Sequence, residues 1–274
     1  LVGNVRYEHN FDWQRILAIW GLQLNFRTLD FWSGAIGLRW HVRATDDRST
    51  RGGPLLEKPA YWNASVNVGS DGRKAVSVFT TIRGTRDENG GWSAGGEAQV
   101  IVRPSPRWSL TVGPSLDKAL TQAQYVATLT DATAVDTYGA RYLFAPLRQT
   151  TLAVETRLDL TFTPKLSFQL FAQPFISSGD YGEAGSLKAP LAYTFVRWKG
   201  QLPDYDFNLR SLRGTAVMRW EYRPGSTLYV AWQQSREDYA QGVGDFDFGR
   251  DRQALFRARP DNVFVLKASY WLTP

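Results

Sequence analysis

The sequence predicts an all-β fold, a transmembrane antiparallel up-and-down β-barrel of about fourteen strands, within roughly 12–16. Apolar and polar residues alternate with period two along most of the chain, for example in residues 151–162. Such alternation is typical of strands with two different faces. Most alternating runs have about 9–13 residues, longer than strands of soluble sheets and long enough for a tilted strand to cross a bilayer.

Each predicted strand is one of these alternating runs, bounded by Gly, Pro or polar residues. Leu152, Val154 and Leu158, for example, lie on one side of their run, whereas Glu155 and Arg157 lie on the other. In chain order the runs cover residues 2–9, 14–28, 33–45, 60–69, 74–84, 93–103, 108–116, 122–130, 136–147, 151–162, 166–177, 208–222, 227–236 and 262–272.

The connections between these strands fall into two length classes. Tight connections follow even-numbered strands, at 69–72, 104–106, 163–165 and 223–226; long polar ones follow odd-numbered strands, at 46–58, 85–91, 179–207 and 237–261. Short turns at one end and long loops at the other are typical of outer-membrane barrels. Since the strand number is even, we expect both termini at the short-turn end, in the periplasm. A soluble β-sandwich, the competing fold, gives no reason for this sorting.

Composition narrows the function classes. The 274 residues include 11 Trp and 12 Tyr, carry a net charge of +6 and contain no cysteine. The absence of cysteine excludes disulfides, thiol catalysis and Cys-bound metals. The basic residues are scattered, so we expect no nucleic-acid partner. Tryptophans within or near strand ends indicate an aromatic girdle, and the alternative is a sugar-binding platform. These residues are Trp20, Trp32, Trp40, Trp62, Trp92, Trp108, Trp220 and Trp232.

Three segments, 162–181, 206–233 and 262–272, resemble the C-terminal barrel of an uncharacterised family of Gram-negative envelope proteins. In that family an N-terminal module similar to family-9 carbohydrate-binding domains precedes a domain-of-unknown-function barrel. The resemblance implies that residues 1–274 form a single outer-membrane barrel domain, the C-terminal part of a longer protein. It also implies a periplasmic domain of the same precursor as a partner. The family has no catalytic motif to carry over.

The alternation assigns charged side chains to the inside of the barrel, because a charge in the lipid costs about 2–4 kcal/mol at mid-depth. The inward set has eleven basic and five acidic residues. The residues expected to line the pore are Arg39, His41, Arg43, Glu97, Glu155, Arg157, Asp159, Arg213, Arg219, Glu221 and Lys267. The excess of arginine either braces and solvates the wall or forms a constriction that favours anions.

The sequence offers no convincing catalytic or cofactor site. The only histidines are His9 and His41, and His41 lies between two arginines. The acidic residues around Asp245 could bind Ca²⁺, but they lack the EF-hand spacing and fit a solvated loop. Gly242-Val243-Gly244 lacks the third glycine and the following helix of a phosphate-binding loop. We therefore expect no enzymatic activity, cofactor or metal.

These observations predict an outer-membrane barrel that acts as a passive, weakly anion-preferring pore for small solutes. The alternative is a non-conducting anchor, or an envelope-complex subunit, for a carbohydrate-binding-like module. A barrel hydrolase is a further rival without a supporting cluster of residues. Expected partners are lipid or lipopolysaccharide of the outer membrane and small solutes, with the chain as a monomer. The connection 179–207 is long and aromatic enough to enter the lumen as a plug.

Overall fold

A computed structural model describes residues 1–272 of the chain. Most of these residues lie in one antiparallel sheet. The strands are β1 (Val2–His9), β2 (Arg15–Arg27), β3 (Ser33–His41), β4 (Ala44–Asp46), β5 (Leu56–Lys58), β6 (Tyr61–Gly69), β7 (Val76–Asp87), β8 (Trp92–Ser105), β9 (Trp108–Thr130), β10 (Ala140–Thr163), β11 (Leu166–Tyr181), β12 (Gly185–Leu187), β13 (Phe195–Arg197), β14 (Phe207–Arg223), β15 (Ser226–Gln241) and β16 (Asp261–Ser269). A 3₁₀ turn covers Val135–Thr137, and helix α1 covers Phe248–Arg257.

The main sheet has fourteen strands and up-and-down order. Its neighbours run β1-β2-β3-β6-β7-β8-β9-β10-β11-β14-β15-β16, β12 pairs with β10, and β13 pairs with β12. A separate pair is formed by β4 and β5. The prediction of an antiparallel sheet of about fourteen strands is confirmed, although the strands are divided differently.

The predicted breaks at 117–121 and 148–150 are wrong. Two pairs of predicted strands are continuous there, as β9 with 23 residues and β10 with 24. The polar residues that interrupt the alternation have partners within the sheet. Asp117 accepts hydrogen bonds from Arg83, and Gln149 donates one to Ser177. A strand can therefore pass through these positions without a turn.

The sheet ends in two open edges. Within residues 1–272, β1 pairs only with β2 and β16 pairs only with β15, so the expected pairing of first and last strands is not formed. That expectation came from the need to pair every backbone group in hydrocarbon. An edge that faces water has no such requirement, because water can satisfy its backbone groups.

The two faces of the sheet differ sharply in polarity. Cross-strand partners point to the same side, and one row joins Leu22, Leu38 and Ala64 while the next joins Gly21, Arg39 and Asn63. Large apolar side chains on the first face are exposed, with Ile82 61% and Leu266 70% accessible. Exposed apolar surfaces of this extent are typical of membrane or protein interaction sites.

The predicted sorting of connections by length is present only in part. The predicted long connection 85–91 is reduced to 88–91, because β7 and β8 extend into it, and it is shorter than the 70–75 connection at the opposite end. Connections 42–60, 182–206 and 242–260 lie at one end of the sheet, called the long-loop end, while 106–107, 164–165 and 224–225 lie at the other, the short-turn end. Strand β1 starts and strand β16 ends at the short-turn end. The long-loop end therefore carries most of the irregular structure.

Helix α1 lies within the 242–260 connection, where the sequence predicted none. Asp247 caps it by accepting a hydrogen bond from the backbone N–H of Arg250 at 2.7 Å. Asp251 and Leu255, one turn apart, are buried against the sheet. With only ten residues, the helix shows too few turns for a clear apolar period. Across the described chain, no helix combines the length and apolarity needed to traverse a bilayer.

Candidate functional site

The polar face of the sheet carries nearly all of the residues selected as pore candidates. The strand registers place on this one face Arg39, His41, Glu97, Glu155, Arg157, Asp159, Arg213, Arg219, Glu221 and Lys267. Arg43 lies just beyond the end of β3, at the long-loop end. Arg141 is another of the eleven basic residues that the alternation assigned to the inside of the barrel. It lies near the β9–β10 tip, where its guanidinium binds Asp131.

This face is concave. A cavity of about 470 Å³ is lined by side chains from five neighbouring strands, β7 to β11. Phe79 lies at one side of the cavity and Gln173 at the other, with Thr111 between them. Glu97 and Glu155 also line it, so two of the five predicted inward acids lie in one cavity.

The basic residues of this face are only partly neutralised. Arg219 lies 3.9 Å from Glu221 and donates to the Tyr229 hydroxyl at 3.3 Å. By contrast, Arg157, Arg213 and Lys267 form no ion pair with any described residue. Unneutralised cations on a concave surface raise the local concentration of anions.

Two long connections meet across the long-loop end. The backbone N–H of Leu191 donates to the carbonyl of Leu55 at 2.7 Å, and that of Glu57 donates to Ala192 at 3.5 Å. These connections follow the third and ninth of the twelve strands in the main row. Six strand spacings correspond to about 29 Å along a flat sheet. The two connections, with 19 and 25 residues, are long enough to reach each other over the intervening strands, and together they cover the long-loop end of the sheet.

Apolar packing holds this cover, formed by 42–60 and 182–206, in place. Leu56, Tyr142, Phe144 and Leu187 are buried together, and Phe195 lies 5.2 Å from the Phe144 ring. The β12–β13 hairpin is also hydrogen-bonded to β10. Tyr193 packs against the same cluster, and burial raises its pKa to about 12. The aromatic residues Tyr193 and Phe195 of the 182–206 connection thus pack against the buried cluster.

An ion pair ties the base of the cover to the rim of the sheet. Both oxygens of Glu88 lie 2.8 Å from the Arg43 guanidinium, and Oε1 also accepts the backbone N–H of Ala60 at 2.9 Å. The hydrogen bond from Arg43 lowers the pKa of Glu88 and, reciprocally, raises the pKa of Arg43. His41 stacks on Tyr61 at 4.0 Å beside this pair. These contacts give Arg43 and His41 structural partners at the rim.

The acidic residues of the 242–260 connection bind arginines. Asp251 is buried between Arg210 and Arg250, and Arg250 also pairs with Asp245. Within residues 1–272 no group of three His, Asp or Glu residues is arranged to hold a metal ion. The expectation of a fully solvated loop is wrong for Asp251. The sequence analysis did not identify Arg210. The available signal was an arginine at a position of β14 where the alternation expects an apolar residue, which indicates a buried acidic partner.

Nearly the whole chain matches a protein-family model. Residues 3–273 match the family described as Domain of unknown function (DUF5916). This chain belongs to that family. No curated protein matches the chain.

Among solved structures, the chain is similar to the NanC porin in a rhombohedral crystal form. The alignment has 10% identity, covers 99% of this chain and 100% of the porin chain, and has a TM-score of 0.25. A TM-score this low does not establish a shared fold.

Proposed function

We propose that this chain closes into an outer-membrane β-barrel that provides a passive path for small solutes with a weak preference for anions. The observation that carries the proposal is the division of the sheet into an exposed apolar face and a concave, predominantly basic polar face. In lipid, an apolar outer surface is stable and both sheet edges must find partners. Edge pairing between β1 and β16 would satisfy them.

The dimensions support a membrane-spanning sheet. The apolar-face residues of β10 run from Leu152 to Phe162 and contain Thr156 as the one polar member. Eleven residues extend about 34 Å along a strand, or about 25 Å across a membrane at a tilt near 40°. This height equals the apolar band of outer-membrane barrels, about 25 Å.

The preference for anions follows from the charges that lack partners. Among the pore candidates on the polar face, four cations and three acids form no ion pair with a described residue: Arg39, Arg157, Arg213 and Lys267 against Glu97, Glu155 and Asp159. Glu97 and Glu155 are grouped in one cavity. A wall with more free cations than anions lowers the electrostatic barrier for negative solutes. Under this proposal the chain is a path for solutes and carries no enzymatic activity.

Planar-bilayer recording of the refolded full chain tests this function. Insertion is checked first, by protection from protease and by heat-modifiable migration in gel electrophoresis. We expect discrete conductance steps and a reversal potential on the anion side in a salt gradient. Inserted protein without conductance, or with a clear cation preference, would contradict the proposal.

The cover over the long-loop end favours a second candidate, a non-conducting anchor or subunit of an envelope complex. The hydrogen bonds from Leu191 and Glu57 and the cluster around Phe144 close that end with protein. Liposome swelling in sugars of graded size separates the two candidates. Swelling that stops above a size limit supports a pore, whereas inserted protein that causes no swelling supports the anchor.

A further inference from the structure

Helix α1 lies on the apolar face of the sheet, outside the concave polar surface. Its nearest strands are β14 and β15, through positions that alternate with apolar residues. Arg210 on β14 is paired in register with Asp238 on β15, and its guanidinium binds both Asp238 and the buried Asp251 of the helix. The helix is thus attached to the outer side of the sheet through a buried charge network.

The helix runs along the outer side of the sheet, from the long-loop end toward the apolar region around Trp232. At its start, Asn208 donates to the Asp245 carbonyl at 3.1 Å. At its end, Arg236 donates to the carbonyls of Phe256 and Ala258 at 2.6 and 3.4 Å. Along β15, Arg236 is closer than Asp238 to the apolar region around Trp232. The C-terminal end of α1 therefore lies next to that region.

The apolar region begins within a few residues of the helix end. Trp232 stacks on Phe264 with ring centroids 6.3 Å apart, and its indole N–H donates to Asn262 at 2.9 Å. Gln234 donates to the same Asn262 oxygen at 3.0 Å. Aromatic rings bordered by amides are typical of the level where hydrocarbon meets lipid headgroups. This border places the C-terminal end of α1 at headgroup height.

The exposed surface of α1 is basic and aromatic. Arg252, Arg257 and the following Arg259 are exposed and form no ion pair with any described residue. Phe256, which lies between Arg252 and Arg257 in the sequence, is 55% accessible. The guanidinium carbon of Arg252 lies over the Phe248 ring, 5.6 Å from its centroid. Arginine binds phosphate with two parallel hydrogen bonds, and exposed phenylalanine favours a partly apolar surface.

We propose that the C-terminal part of α1 binds the phosphate groups of lipids in the leaflet at the long-loop end. Arg252, Arg257 and Arg259 bind the phosphates and Phe256 contacts the adjoining acyl region. This inference rests on the proposed membrane barrel and extends it by assigning one helix as its lipid contact. The buried pair of Arg210 and Asp251 holds the helix in the orientation that this contact requires.

The test measures binding of lipid A, a phosphorylated glycolipid, to the detergent-solubilised full chain by native mass spectrometry. The triple variant Arg252→Gln, Arg257→Gln, Arg259→Gln is expected to bind it about 10- to 100-fold more weakly, since each basic residue near an anionic surface contributes to attraction. The triple lysine variant should recover part of the affinity. A matched control removes three exposed arginines at the short-turn end, Arg27, Arg103 and Arg107, and should retain full binding.

Unchanged binding in the α1 variant, or an equal loss in the control, would overturn the assignment. Competition by millimolar inorganic phosphate would also overturn it, by showing a site for free phosphate instead of a lipid surface. Conductance and insertion are measured on the same preparations. If these persist while lipid A binding is indifferent to α1, only this inference fails; a chain that does not insert refutes the proposed function itself.

Discussion

Arg83 and Asp117 form an ion pair across Gly95, which lies between them in the sheet. In register, Arg83 on β7 is opposite Gly95 on β8, and Gly95 is opposite Asp117 on β9. Nη2 of Arg83 lies 2.8 and 2.9 Å from the two carboxylate oxygens of Asp117. The missing side chain leaves the space in which the two groups meet, since a Cβ on Gly95 would lie 1.9 Å from Asp117 Oδ1.

Gly95→Ala is therefore expected to break this pair while the fold is retained. Both partners are partly exposed, so the loss in unfolding free energy should stay below about 1 kcal/mol. Chemical denaturation in detergent measures it, in a double-mutant cycle with Asp117→Asn. The two changes should be strongly non-additive because each removes the same interaction. Gly84→Ala is the control, since its new Cβ meets its nearest atom at 3.5 Å. Additive effects would show that the pair contributes nothing.

The charges of the polar face should determine ion selectivity. Replacing Arg157, Arg213 and Lys267 by glutamine removes three cations that lack acidic partners among the described residues. We expect the reversal potential in a salt gradient to move toward the cation side. The opposite variant, Glu97→Gln with Glu155→Gln, should move it toward the anion side. Arg107→Gln, in a short turn, is the neutral control. A shift of the same sign in both variants would contradict electrostatic control by this face.

The cover over the long-loop end should limit conduction when it is locked. The natural chain has no cysteine, so Leu55→Cys with Leu191→Cys introduces a single possible disulfide between the two hydrogen-bonded segments. If the cover moves aside during conduction, oxidation should lower the conductance and a reductant should restore it. The single variant Leu55→Cys controls for modification of the thiol. Equal conductance in both redox states would show that solutes pass beside a fixed cover.

How far the sequence predicts this structure differs between its regions. Along β10 the alternation from Leu152 to Phe162 is interrupted on its apolar side only by Thr156, and both the strand and its two faces follow from it. The polar residues Asp117 and Gln149 suggested turns because their partners, Arg83 and Ser177, are distant in sequence. The same limit applies to the cover. The contact of Leu191 with Leu55 joins residues that no local pattern connects.

Helix α1 illustrates the remaining difficulty. Its helical signal consists of the Asp247 cap and the spacing of Asp251 and Leu255. These residues lie in a segment rich in aspartate and arginine, a composition that is equally typical of a solvated loop. The partner that makes Asp251 a buried residue, Arg210, is 41 positions away on β14. Only the assembled sheet shows that the two meet.

The attachment of α1 should depend on pH through Asp251. Burial alone would raise the pKa of Asp251, but hydrogen bonds from Arg250, from the backbone N–H of Asp247 and from Arg210 together lower it below its ordinary value. A carboxyl whose pKa is lower in the folded state stabilises that state above its ordinary pKa of about 4. The contribution is lost as the pH falls through the lowered value, so α1 should be firmly attached at neutral pH and loosen under strong acid.

Asp251→Asn should produce the loosened state at neutral pH. It leaves Arg210 buried with only the partly exposed Asp238, and breaking a buried pair costs about 3–5 kcal/mol. We expect this cost to appear locally, as trypsin cleavage after Arg250, Arg252 and Arg257 while the sheet stays resistant. Asp30→Asn, in a short turn, is the control and should be cleaved no faster than the natural chain. If Asp251→Asn leaves the cleavage rate of 242–260 unchanged, the buried pair does not hold the helix, and the apolar contact of Leu255 alone is sufficient to attach it.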